Sequence, residues 1–230
     1  MLKYVVTITA AFTLTLVLLY IAIHIPTFSM STYTNHFEQH NTAALIQISQ
    51  QDLLAVTNRL VGYMRGTYDD LVIYATVAGQ YRQFFTQREI DHMVDVLLLF
   101  QIGRWLFVVS IVLFLLSAAW IYKNKLFELM AKVQFFWGVG TMVVVLWLGW
   151  LFYTDFVRYF HIFHYIFFFF DYEQLWLLDP NVDMLVNMVP YIFFINIGQT
   201  IATIFLGAVV VITALAGYMF FKLKGLGKEF

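Results

Sequence analysis

The 230-residue chain contains no cysteine, which excludes a disulfide framework, a Cys-ligated zinc site and a thiol nucleophile. Charge is scarce as well: Asp, Glu, Lys and Arg make up 12% of the residues, about half the usual share of a soluble domain. Thirteen basic side chains against fourteen acidic ones leave a formal net charge of −1, so there is no basic field to hold nucleic acid. There is no Gly-rich phosphate loop either, and the two absences together argue against a nucleotide or nucleic-acid enzyme. Only three prolines interrupt long apolar blocks, a composition incompatible with disorder. Hydrophobic residues are what the chain has in excess, at 62% against roughly 45–50% in soluble proteins. The class that remains is an integral membrane protein.

Four charge-free apolar runs carry that reading: Tyr4 to Ile25, Trp105 to Tyr122, Val133 to Thr154 and Met184 to Phe221. A helix needs roughly 20 apolar residues to cross a ~30 Å hydrocarbon core, so each of the first three fits one span. The fourth, 38 residues long and containing Pro190, exceeds a single crossing. Asp179-Pro180 reads as a helix start, with Asp as N-cap and Pro at the first helical position. Met184 to about Phe194 then reads as interfacial and 191–221 as holding the crossing. The first run is longer than a signal-peptide core and no A-x-A-like site follows it, so it reads as a retained anchor. The predicted class is an all-α integral membrane protein with four transmembrane helices, an extracytoplasmic helical cap and an interfacial aromatic segment. The spans are approximately 4–25, 103–122, 133–154 and 191–221. Without internal repeats or a low-complexity linker, residues 1–230 read as a single membrane domain.

All seven lysines (Lys3, Lys123, Lys125, Lys132, Lys222, Lys224 and Lys228) lie outside the apolar runs, at the two ends and between the second and third. Four crossings put those places on one side, which the positive-inside rule makes cytoplasmic. The opposite side receives residues 26–100 and 155–190, with five of six arginines and twelve of fourteen acids. In the first of these segments, Asn41 reads as the N-cap of a helix with apolar positions at Leu45, Ile48, Leu53, Val56, Leu60 and Met64. Thr86-Gln-Arg-Glu89 is a capping box, and the helix it opens carries Asp91, His92 and Asp95, the last two sharing a face. In the second segment, Phe156 to Phe170 holds nine aromatics in fifteen residues. It is too short and too interrupted to span, and an interfacial or re-entrant element fits it.

Histidine is the acid–base side chain nearest neutrality, and the six histidines divide by setting. His24 lies at the outer end of the first span, and His36 and His40 read as solvated in a polar loop. His161 and His164 share a face among aromatics, while His92 stands between two acids. Zinc would need His161, His164, His92 and Asp95 to converge, but no H-E-x-x-H pattern anchors such a site. Haem lacks mid-span histidines, and no G-x-S-x-G elbow supports a serine hydrolase. Two-histidine acid–base catalysis, without metal, cofactor or protein nucleophile, retains the largest share. Two other classes stay open. One is a non-enzymatic membrane subunit or small proton-linked transporter, although no acid lies mid-span as ion pathways usually require. The other is a metal-dependent lipid hydrolase.

Two blocks narrow the choice. Arg88-Glu-Ile-Asp-His92-Met-Val-Asp95-Val is one, and Phe163-His164-Tyr-Ile-Phe-Phe followed by Trp176-Leu-Leu-Asp179-Pro180 and Asp183 is the other. Together they resemble the lipoprotein intramolecular transacylase (Lit) family of small four-helix bacterial membrane enzymes, and the likeness extends to length, span order and both outer segments. Tyr191 after Pro190 and the aromatic run through Phe170 depart from the family pattern, and neither touches the two histidines. The resemblance implies transfer of the sn-2 acyl chain of a diacylglyceryl-modified lipoprotein onto the α-amine of its N-terminal cysteine, giving a lyso-form lipoprotein. It also implies that His92 and His164 are the catalytic pair, with His161 structural. The protein is accordingly read as a monomer in the bacterial cytoplasmic membrane, both termini cytoplasmic, its site facing the outer leaflet and its partners a diacylglyceryl lipoprotein or lipopeptide and membrane lipid.

That chemistry suits the residues. An amine attacking an ester must lose a proton, and a histidine near pKa ~6.5 raised by an acidic neighbour can take it. Asp91 or Asp95 beside His92 makes His92 the expected base. Aromatic burial makes His164 the expected oxyanion stabiliser and acid. Asp179 and Asp183 join the supporting set, as does Arg104 near the membrane edge, placed to pair a carboxylate or substrate carbonyl. Phe167 and Phe168 are the expected contacts for the acyl chain.

Overall fold

The computed structural model describes residues 1–169 and 174–226, so Phe170, the last of the aromatic run, lies outside the described residues. In chain order the elements are α1 (Leu2–Thr27), α2 (Met30–His40), α3 (Thr42–Leu45), α4 (Gln50–Arg65), β1 (Tyr74–Val77), β2 (Gln80–Gln83), α5 (Gln87–Lys123), α6 (Phe127–Thr154), α7 (Phe156–Phe167), α8 (Met184–Met188) and α9 (Tyr191–Leu226). Among the described residues, four helices are long and apolar enough to cross a membrane: α1, α5, α6 and α9. The spans read from sequence fall inside these four. The all-α expectation holds apart from one small hairpin.

The chain divides into two compact units. The first comprises Met1–His24, Gly103–Thr154 and the chain from Thr200 on, and therefore holds the most apolar stretches of the four long helices. Ala22, Phe205 and Val209 form a buried cluster, with Leu18, Met142, Val145, Ile201 and Ile204 packed against it. A Cβ at Gly138 would meet Thr213 Oγ1 at 1.9 Å, so α6 and α9 approach there as closely as small residues allow in membrane helix pairs. In α1 two threonine hydroxyls are satisfied within the helix, Thr13 donating to Thr9 O at 2.7 Å and Thr15 to Ala11 O at 2.9 Å. Trp137 Nε1 donates in turn to Thr15 Oγ1 at 3.0 Å. Large apolar side chains such as Leu116, Val143, Trp147 and Leu215 stand exposed on this unit, as suits a surface solvated by lipid.

The second unit comprises Ile25–Ile102 and Asp155–Gln199. Its core includes Phe37, Leu53, Leu71, Phe84, Phe85 and Met188, all essentially inaccessible. The first outer segment differs from the sequence reading in two places. Asn41 adopts a left-handed conformation (φ 50°), ending α2 and standing at the N-cap of only the four-residue α3, without a side-chain capping bond, instead of starting one long helix. After the single turn of α3, Gln47 accepts from Ala78 N at 2.8 Å and Ile48 bridges to Val77. These backbone groups are committed to the hairpin, so α4 begins only at Gln50, with Ser49 Oγ accepting from Asp52 N at 3.0 Å. The antiparallel β1–β2 hairpin turns at Ala78 and Gly79, both at positive φ, the conformation that two-residue hairpin turns require.

His36 and His40 also lie on α2 and not in a loop. His36 is 4% exposed, edge-on to Phe193 at 5.3 Å and 4.5 Å from the His40 ring. Neither of its ring nitrogens has a hydrogen-bond partner among the described residues. Burial, with a smaller contribution from His40, pushes its pKa down to about 4.

Candidate active site

The capping box predicted at Thr86 forms as read. Thr86 N donates to Glu89 Oε2 at 2.6 Å, and Glu89 N donates to Thr86 Oγ1 at 3.3 Å. Glu89 is fully buried because its other oxygen, Oε1, accepts from the backbone N–H of Leu185. Thr86 Oγ1 donates onward to Asp183 Oδ1 at 2.9 Å, while Asp183 Oδ2 accepts from Asp179 N at 2.8 Å. One turn of α5 is thereby stapled to the segment leading into α8. His92 follows one turn later, 7% exposed.

The second histidine comes from α7. Asp155 caps that helix, its side chain accepting from Arg158 N at 3.1 Å. Twelve residues is too short to cross a membrane, as expected for the aromatic segment. Its inward stripe buries His164, while Tyr165, Ile166 and Phe167 stay exposed. His164 Nδ1 lies 2.7 Å from Phe160 O. A carbonyl only accepts, so Nδ1 carries the hydrogen and the neutral ring presents its lone pair at Nε2. The faces of the imidazole are covered by Trp176 (4.9 Å, 29°) and Phe168 (5.5 Å, 24°). Burial, the largest influence, holds the His164 pKa below its ordinary value, opposed by the bond to Phe160 and aided by nearby His161.

The two rings meet, 72 positions apart in sequence, with centroids at 6.3 Å and planes at 32°. Phe168 touches both, 5.5 Å from each. The remaining predicted residues divide sharply. Asp91 accepts from Gln87 Nε2 at 2.8 Å on its own helix, and Asp95 is partly exposed on the His92 face of α5. Arg104 belongs to the first unit and is exposed. Asp179 is not a helix N-cap: its Oδ1 accepts from Asn181 N and Nδ2, both at 2.9 Å, closing a turn. The helix starts four residues later at Met184, with Asp183 in the N-cap position but directed to Thr86 and Asp179. A proline after an Asx residue favours a tight turn as readily as a helix start, and here the Asp183 contacts decide it. Phe168 is buried against both histidines, whereas Phe167 is exposed on α7. His161 Nε2 lies 3.3 Å from Tyr191 Oη, with its ring edge-on to Trp176 at 5.1 Å. Among the described residues no three His, Cys, Asp or Glu side chains group so as to hold a metal ion.

Arg88 was not singled out from sequence. One helical turn before His92, its Nη2 donates to Gln174 O at 2.8 Å and Leu177 O at 3.2 Å. It grips the turn that carries Trp176.

Residues 8–194 match the family model for the lipoprotein intramolecular transacylase Lit. No individual curated protein sequence matches the chain. Among solved structures, the chain is similar to the membrane integral lipoprotein intramolecular transacylase Lit from Bacillus cereus, at 16% identity and TM-score 0.75, covering 97% of this chain and 98% of that one. Two further structures of the Bacillus cereus protein, each with one histidine replaced, by arginine in one and alanine in the other, match at 17% identity and TM-score 0.74. They too cover 97% of this chain, and 94% and 96% of theirs. With the family model spanning most of the sequence and the fold shared end to end, the chain belongs to the lipoprotein intramolecular transacylase Lit family, membrane-integral acyltransferases.

Proposed function

We propose that this protein transfers the sn-2 acyl chain of a diacylglyceryl-modified lipoprotein to the α-amine of that lipoprotein's N-terminal cysteine, with His92 and His164 as its catalytic residues. The observation that carries the reading is the meeting of two buried imidazoles, 6.3 Å apart, from α5 and α7. Through hydrogen bonds of ~2.6–3.2 Å, rings at that separation can serve one reacting centre, one ring at the amine and the other at the carbonyl oxygen.

His164 is the base in this proposal. Its Nδ1–H bond to Phe160 O leaves the Nε2 lone pair as its outward function, and its lowered pKa favours the neutral ring at physiological pH. This reverses the role expected from sequence, where acids beside His92 suggested that His92 was the base. Of the two acids, Asp91 is engaged by Gln87 on its own helix; the reversed assignment is carried by the outward Nε2 of His164. The amine nitrogen attacks the sn-2 carbonyl carbon and an N–C bond forms. His164 Nε2 takes a proton from that nitrogen while a His92 N–H donates to the oxyanion. The C–O bond to glycerol then breaks, and the proton on His164 Nε2 passes to the departing glycerol oxygen. An ester becomes an amide, a hydroxyl appears at sn-2, and no atom is gained or lost. Because nucleophile and ester share one molecule, the enzyme's main contribution is orientation, for which intramolecular systems show up to ~7–11 kcal/mol.

The lysine distribution supports a cytoplasmic location for both termini, and with it a site at the outer leaflet of the bacterial cytoplasmic membrane. The exposed apolar face of α7, Phe167 included, suits contact with acyl chains there. The test is mass spectrometry of a diacylglyceryl lipopeptide incubated with purified protein and chelator. Acyl migration at constant mass is expected. Loss of a fatty acid would mean hydrolysis, and an unchanged lipopeptide would remove the activity.

A further inference from the structure

We propose that Arg88 and Trp176 are positioning residues for the transfer: the Arg88 guanidinium fixes the turn that bears Trp176, and the indole in turn fixes the plane of the His164 ring. The inference rests on the acyl-transfer reading above and extends it to residues that touch no reacting atom.

Arg88 and His92 are four residues apart on α5 and share a face. The Arg88 Nη2 bonds to Gln174 O and Leu177 O bracket Trp176 on both sides in sequence. Between those two carbonyls the chain is a tight turn, with Leu177 N bonded to Gln174 O at 3.0 Å and Gln174 itself at positive φ. A loop of that kind has no ladder of its own to hold it, so the two charge-assisted bonds supply its register. Trp176 is 8% exposed although its turn lies at the surface. Its ring stacks on His164 at 4.9 Å and 29° and stands edge-on to His161 and Tyr165 at 5.1 and 5.3 Å. The helix that carries one histidine thus governs, through Arg88 and an indole, the orientation of the other.

The arrangement has a consequence for protonation. Trp176 and Phe168 cover the His164 faces, and among the described residues the ionisable neighbours are His92 from α5, His161 on α7 itself, and Tyr191 of α9 through His161. None of these is an acid that could raise the His164 pKa, so it is held down chiefly by burial. Removing the indole admits water to the ring and lets the value rise towards that of an exposed histidine.

The experiment uses full-length protein labelled with 15N-histidine in detergent, with His164 identified by loss of its signals in His164→Gln. Wild type should show His164 with Nδ1 protonated and Nε2 bare, titrating below ~6.5. In Trp176→Ala and Arg88→Ala the ring should become a tautomer mixture and titrate closer to that value. Acyl migration should lose on the order of 10²-fold in kcat, the cost of misplacing a catalytic group by about 1 Å, with KM unchanged. The double variant should cost no more than the worse single one, because both act through one element. Arg88→Lys and Trp176→Phe, the variants expected to fold most like wild type, should recover part of the tautomer preference and rate. Wild-type His164 signals and kcat in folded Arg88→Ala or Trp176→Ala would overturn the inference, as would additive losses in the double variant. A wild-type protein that moves no acyl chain would instead overturn the transfer reading, while the tautomer and titration of His164 would still test the positioning.

Discussion

Replacing His164 by alanine removes the lone pair assigned to proton removal, and the consequence is visible in the shape of the pH–rate curve as well as in its height. General base help is typically worth 10²–10⁴-fold, or about 3–5 kcal/mol of barrier at 1.36 kcal/mol per decade. The pH dependence follows from two groups. The substrate α-amine, pKa ~7.7–8.0, must be free to attack. His164 must be neutral, and burial holds its pKa below the ordinary value, so it becomes protonated only in more acid solution than the amine does. For wild type, log kcat/KM should therefore be flat above about pH 8, fall with slope one as the amine protonates, and steepen to slope two below the His164 pKa, under about 6.5. In His164→Ala the rate should be lower throughout, and the lower break should vanish, leaving slope one into the acid range. The assay is initial acyl-migration rate on a synthetic diacylglyceryl lipopeptide, at subsaturating concentration, from pH 5 to 9. A lower break that persists in His164→Ala, or a loss smaller than tenfold, would refute the assignment of His164 as base.

His92→Ala should lose on the order of 10²–10³-fold in kcat, as expected for removal of an oxyanion donor, and the double histidine variant little more than the worse single one; full multiplicative losses by the same assay would argue against concerted action. Glu89→Ala leaves the backbone N–H groups of Thr86 and Leu185 without their buried acceptor, at about 1–3 kcal/mol each, so the thermal midpoint in detergent should fall clearly, and an unchanged midpoint would contradict the staple. His36→Phe should remove an acid-side loss of stability: the unfolded state takes a proton near pH 6.5 that the native ring refuses until about pH 4, so wild-type stability should fall by on the order of 3 kcal/mol between those values. In the variant the decline over that range should be shallower by about that amount, leaving the part that His164, whose pKa is also held down, contributes; a parallel decline in both proteins would show that His36 is not the group responsible. Reporter fusions at Phe230 and near Thr86 should label opposite sides of the membrane; labelling on one side would remove the four-span topology.

The features that were legible in the sequence are those set by composition or by local spacing. Membrane spans follow from uninterrupted apolar length, and the Thr86–Glu89 cap follows from a rule that acts over three residues. The features that escaped are set by partners distant in sequence. Asn41 has the chemistry of either helix end, and the choice falls to Gln47 and Ile48, whose backbone groups pair with a hairpin some thirty residues on. That hairpin turns on Ala-Gly where Asn-Gly would have signalled it. His36 reads as polar and solvated until Phe193 is packed against it. At the site, the resemblance to a known family singled out His92 and His164, whereas several of the residues expected to support them make their contacts elsewhere. Asp91 turns to Gln87, Asp179 and Asp183 turn to backbone and Thr86, and Arg104 belongs to the other unit. The contacts that govern His164 come from a carbonyl one turn back and from an indole held by Arg88. An arginine amid acidic residues on a helix carries no sign that it reaches a turn 86 positions away.

The central claim, that two histidines move an acyl chain within a single lipid-bearing molecule, is tested most directly by a crossover experiment. Two diacylglyceryl lipopeptides, one with isotopic label in both the sn-2 acyl chain and the peptide and one unlabelled, are mixed and incubated with purified protein or with the His92→Ala/His164→Ala variant. Wild-type protein should give N-acylated lyso-products of only the two parental masses, each label remaining with its partner, and the double variant should give essentially none. Products of mixed mass, free fatty acid, or undiminished transfer by the double variant would contradict it.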